Sequence, residues 1–122
     1  MTENLSTKPV IVIDLAWDRI RIHKKTIHNL GNPEQIQLLI NPDELVFAIR
    51  GCDKRAKNSH RIILVENNSY ELHSRSLIRS LQTVCPQWKI GEKYRIVGEL
   101  IPTESMACFN LKKSQPFTES EN

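Results

Sequence analysis

The sequence predicts a mainly β fold with two short helices, arranged as a tandem repeat of β-hairpin, helix and β-hairpin. Three observations carry that expectation. Runs such as Arg19-Ile20-Arg21-Ile22 alternate polar with apolar residues at the two-residue period of a half-buried strand. Pro, Gly, Asn and Asp punctuate the runs at short intervals, as turns require. The chain also resembles itself. A shift of fifty residues lays Arg19 to Ile27 on Ser69 to Leu77, with His23 on His73, Lys25 on Arg75 and Thr26 on Ser76, and Val12-Ile13 on Ile62-Ile63. A shift of sixty lays Ile36, Ile40, Pro42, Glu44, Val46 and Ile49 on Ile96, Leu100, Pro102, Glu104, Met106 and Phe109. Ten extra residues around Cys85-Pro86-Gln87-Trp88 account for the change of offset.

Each element has a local reason. Pro9 to Leu15 and Arg19 to His23 are β-rich runs around a short turn and form the first hairpin. Lys25 to Leu30 places Ile27 and Leu30 three apart on one face, and Gly31 with Asn32-Pro33 ends the helix. Ile36 to Ile40 and Leu45 to Arg50 form a second hairpin through Asn41-Pro42-Asp43-Glu44, where Pro presets the turn and Asn and Asp bond their own backbone. In the second half strands are expected near 61–66 and 69–73, a helix near 75–84 with Leu77, Ile78 and Leu81 inward, and strands near 92–101 and 105–111. That makes eight strands and two helices. Residues 9–113 form a single domain of two repeats, 9–50 and 60–113, joined by the polar loop 51–59. Residues 1–8 and 114–122 lack apolar periodicity and are expected as disordered tails.

Size and composition limit the function. A chain of 122 residues with 39% apolar and 25% charged residues is one ordinary domain. Apolar runs such as Val10 to Ile13 and Ile62 to Val65 fall far short of the roughly 20 residues of a membrane span. The polar start, Met1 to Lys8, carries no apolar stretch of a secretory signal, and three cysteines without a C-x-x-C pair suit free thiols in a reducing cytoplasm. A net charge of +3 permits nucleic-acid binding without demanding it.

The run Asp18-Arg19-Ile20-Arg21-Ile22-His23-Lys24 leading into Leu30-Gly31 resembles the swapped-hairpin family of AbrB-like, MazE-like and MraZ-like proteins, which carry G-R-[IV]-x-[IL]-P-K-x-[IL]-R-x-x-L-G at that place. The match is best over residues 18–50, and residues 60–111 share it through the internal repeat. The resemblance implies DNA binding by two units that interlock into a barrel, here a pseudo-dimer within one chain that either completes the barrel alone or forms a homodimer. It places Arg19 on the family's phosphate- or base-contacting arginine. Asp18 stands in place of the family's glycine, His23 in place of its proline, Ile27 in place of its helix arginine, and Ser69 falls on Arg19 in the second half.

The candidate DNA contacts are Arg19, Arg21, Lys24, Lys25, His28, Arg50, Lys54, Arg55, Lys57 and Arg75. Lys24, Lys25 and Arg75 sit in the first turns of the expected helices, where a cation opposes the helix dipole and an external anion offsets the repulsion. Arg19, Arg21, Lys24, Lys25, His28 and Arg50 would form a stripe if strand and helix start share a face, and Lys54, Arg55 and Lys57 would act as a loop clamp on phosphates. The plain alternative for each is a solvated side chain on the polar face. His23, His28, His60 and His73 lack metal-ligand spacing, so no metal is expected, and no cofactor. Cys52, Cys85 and Cys108 are scattered. Asp14, Asp18, Asp43 and Glu44 have no partner at catalytic spacing, and no Gly-rich phosphate loop or G-x-S-x-G occurs, so an enzyme is not expected. Trp17 stands in the first turn, open to a base or a partner surface or simply closing the hairpin. The expected function is a small cytoplasmic DNA-binding or transcription-regulator-like protein on double-stranded DNA. The alternative is a protein-interaction module, antitoxin-like or inhibitor-like, on the same scaffold.

Overall fold

A computed structural model describes residues 8–65 and 68–117. The first hairpin pairs β1 (Val10–Asp14) with β2 (Arg19–His23), Ile11 opposite Ile22 and Ile13 opposite Ile20. Alternation sends these four isoleucines fully into the core and turns Arg19, Arg21 and His23 outward. The turn between them is held by Asp14, whose Oδ1 accepts from the backbone of Ala16 and Trp17 at 2.9 and 3.2 Å. Helix α1 (Lys24–Asn29) follows without a gap, because the ring Nδ1 of His23 accepts the Lys25 N–H at 3.0 Å and acts as N-cap. It ends at Gly31, which takes φ 91°, the left-handed backbone that a helix stop favours.

The second hairpin pairs β3 (Gln35–Asn41) with β4 (Val46–Cys52). Its turn is closed by Asn41 Oδ1, which accepts from Asp43 and Glu44. The chain continues through β5 (Ser59–Arg61), β6 (Ile63–Val65), β7 (Ser69–His73) and helix α2 (Arg75–Val84), whose N-cap is Ser74. It closes with β8 (Lys93–Val97), β9 (Glu99–Ile101), β10 (Met106–Asn110) and β11 (Gln115–Pro116).

The strands form two sheets, one ordered β11-β8-β1-β2-β7-β6 and the other β5-β3-β4-β10-β9. They do not close into a barrel, which corrects the expected barrel. The core lies between them, with Phe47 and Phe109 at 6.4 Å among Ile13, Ile20, Ile36, Ile49 and Ile96.

Among the described residues eleven strands replace the expected eight; two of the three extra strands arise where a stretch bends, and the third is β11. Residues 59–65 break at buried Ile62, and residues 93–101 break at Gly98, so each stretch begins in one sheet and ends in the other. At Gly98 a Cβ would collide with the Cys108 carbonyl oxygen and the Phe109 ring, so only glycine lets the chain pass this corner. The loop expected at 51–59 is shorter, since Gly51 and Cys52 extend β4 and Ser59 opens β5. The tail expected from residue 114 begins instead with β11, which pairs with β8. The rest of the expected tails, residues 1–7 and 118–122, lies outside the described residues.

Candidate nucleic-acid interface

The outer face of the six-stranded sheet carries a knot of charge centred on Glu71. Its Oε2 accepts from Arg19 Nη1 at 3.0 Å and lies 3.4 Å from Arg21 Nε, and its Oε1 meets His73 Nε2 at 3.1 Å. Arg19 Nε also donates to Oδ2 of fully buried Asp14 at 2.9 Å. The two arginine side chains are 20% and 18% exposed, so both are turned to carboxylates and largely covered. Strand alternation alone accounts for their outward direction. The carboxylate that faces them arrives only through the pairing of β2 with β7, where Arg21 stands opposite Glu71.

The helix starts are different. Lys24, Lys25 and His28 on α1 are exposed, and the His28 ring Nδ1 lies 3.3 Å from Asn32 Nδ2. Arg75 opens α2, 72% exposed and 3.6 Å from Asp18, a pair too solvated to hold it firmly. One turn further on, Arg79 is exposed on the same helix face. The sequence reading missed Arg79, although its i+4 spacing from Arg75 and the lack of any acid in residues 75–84 were visible there.

The remaining candidates lie elsewhere. Arg50 belongs to β4 in the five-stranded sheet, where its guanidinium donates to Gln37 Oε1 at 2.7 and 3.3 Å. Gln37 in turn donates to the Lys57 carbonyl at 2.8 Å, which brings Lys57 near Arg50. Lys54 and Arg55 are exposed in the neighbouring loop, and Arg55 lies 3.6 Å from Asp53. The stripe expected from Arg19 to Arg50 is therefore divided, because β2 and β4 enter different sheets.

Trp17 is 69% exposed beside Asp18, whereas Trp88 is buried, stacked on Tyr94 at 5.0 Å with its indole N–H donated to Ser114 Oγ. Burial pushes the Cys85 and Cys108 thiols up; for Cys52 burial and Asp53 raise the pKa while Arg50 lowers it. Among the described residues no group of three His, Cys, Asp or Glu could hold a metal ion, and no helix is long and apolar enough to cross a membrane. Comparison with protein-family models, curated proteins and solved structures finds no match to this chain.

Proposed function

We propose that this chain is a small cytoplasmic DNA-binding protein of the transcription-regulator kind, contacting backbone phosphates through the exposed cations of its helix starts. The observation that carries the reading is the composition of those outward faces. Lys24, Lys25 and His28 on α1, and Arg75 and Arg79 on α2, are exposed, and neither helix contains an Asp or Glu. Cations in a first turn oppose the helix dipole, and a bound phosphate relieves that repulsion. Arg19 and Arg21 serve this site by fixing β2 and β7, rather than by reaching DNA.

The reading includes an internal duplication of swapped-hairpin type, each half contributing strands to both sheets. Four relations support it. Arg21 pairs with Glu71 and Ala48 with Cys108, the residues that shifts of fifty and sixty superpose. Asp18 and Asn68 share left-handed backbone before equivalent strands, and so do Leu45 and Ser105. Duplicated halves would present α1 and α2 as an equivalent pair of basic helices.

The test is fluorescence anisotropy of a random duplex pool at low and moderate salt. Binding is expected to fall steeply with salt, and the double reversal Lys24→Glu with Lys25→Glu should flatten the log-log slope by about 2, near 0.9 per phosphate lost. No binding at low salt, or unchanged binding by the double variant, defeats the reading.

A second reading, a protein-interaction module, is favoured by β6. This edge strand exposes Ile63 at 58% and Leu64 at 52%, with no charge or proline to guard it. A partner strand could add there. Reversal at Lys24 and Lys25 would spare such an interaction, whereas Leu64→Lys would remove it.

A further inference from the structure

The outer face of the six-stranded sheet carries a shallow groove of about 310 Å³. Its floor is apolar, made by Val10 and Val12, which alternate outward from β1 between buried Ile11 and Ile13. An outward sheet face is ordinarily polar, so two adjacent outward valines are unusual. Phe117, just after β11, forms a wall and is anchored by its backbone N–H to the Lys93 carbonyl at 2.9 Å.

Polar side chains ring this floor. Val12 stands in register between Arg21 on one neighbouring strand and Arg95 on the other; the Arg21 guanidinium lies against Glu71, whereas Arg95 is exposed. His23 and Ser69, opposite one another across β2 and β7, close the far end. The Nδ1 of His23 accepts from Lys25, which leaves the ring proton on Nε2, and the histidine therefore offers a donor to the groove. Among the described residues the lining holds the Arg21 and Arg95 guanidinium groups, an imidazole N–H and a hydroxyl, with Glu71 beyond it, paired to Arg21.

We propose that this groove binds a small organic anion, a carboxylate carried on an apolar or aromatic body, with the carboxylate on exposed Arg95 and the body over Val10 and Val12 against Phe117. Planar guanidinium forks match a carboxylate, and the valine floor rewards an apolar body that a bare phosphate lacks. The site is separate from the helix-start cations and stands or falls independently of DNA binding.

The test uses 3-phenylpropanoate, its neutral amide and inorganic phosphate, each titrated into the full chain while amide resonances are followed by NMR. The carboxylate should give saturable shifts at Val10, Val12, His23, Ser69 and Arg95, with a Kd on the order of 1 mM. The amide and inorganic phosphate should each bind at least about tenfold more weakly, and Arg95→Ala and Phe117→Ala should each weaken the carboxylate by a similar factor. Arg95 is exposed, so its removal leaves the fold intact. The Lys24→Glu, Lys25→Glu variant should bind 3-phenylpropanoate as the native chain does. Absence of saturation by about 10 mM, equal binding of the amide or of phosphate, or shifts centred elsewhere would overturn the proposal.

Discussion

Asp18 and Asn68, fifty positions apart, hold the same left-handed backbone at φ 52° and 60°, and each gives its carbonyl to the start of the other half's helix. Ser74 donates its N–H to Asp18 at 3.3 Å, and Lys24 donates to Asn68 at 2.9 Å. A helix start leaves its first N–H groups without intrahelical partners, so each hairpin tip supplies what the opposite helix lacks. The contact locks the two halves together at both ends of the β2 and β7 pair, with the Glu71 ion network between them.

That network sets the first prediction. Glu71→Ala would leave Arg19 and Arg21 close together and largely covered, with Asp14 as the remaining carboxylate. Removing one partner of a mostly buried ion cluster is strongly destabilising, by about 3 kcal/mol. The urea midpoint should fall accordingly, and a loss below about 1 kcal/mol would show that solvent already screens the cluster.

The two sheets exchange strands at Gly98, where space is the constraint. Gly98→Ala should cost about 2 kcal/mol or more, because the added methyl meets a backbone oxygen and the buried Phe109 ring. Gly91→Ala makes the comparison informative, since Gly91 has open space but φ 83° and should lose only about 1 kcal/mol. Equal losses in thermal unfolding would contradict the steric account.

Buried Cys85 predicts a pH dependence. Its folded thiol is raised by burial, so the unfolded chain gives up this proton first, at about 8.5. Below that pH the folded and unfolded thiols are both protonated and nothing is lost. As pH rises above it, stability falls toward the folded value. Cys52 and Cys108 are shifted the same way, so Cys85→Ala should reduce the alkaline slope of the urea midpoint without abolishing it.

Trp88 reports on the C-terminal strand. In a Trp17→Phe background the remaining indole is buried and bonded to Ser114 at 2.9 Å. Ser114→Ala should cost about 1 kcal/mol by leaving the indole N–H unpaired. Emission should stay blue in Ser114→Ala if the Tyr94 stack holds, and shift red if a chain ending at Lys113 lets water reach the ring.

Much of the fold is readable locally. The Ile20 and Ile22 alternation, the Asn41-Pro42-Asp43-Glu44 turn, and the Gly31 helix stop depend on residues a few positions apart, and their elements fall within a residue or two of expectation. The candidate site is less readable. Arg19 and Arg21 look like free cations in the sequence because their carboxylates are Asp14, five residues back, and Glu71, half a chain away. Arg79 is legible as a helical neighbour of Arg75 but lies just beyond the run, Ser69 to Leu77, that aligns with the first half.

The sequence by itself determined the β character, the two helices, the turns and which side chains face inward, because periodicity and turn chemistry act between near neighbours. Tertiary structure decided the division of strands at Ile62 and Gly98 between two sheets, the separation of Arg50 from Arg19, and the burial of the arginine charges against Glu71. Those outcomes depend on which distant strands become neighbours, and the space and charge that meet across such a pairing exist only once the chain has folded.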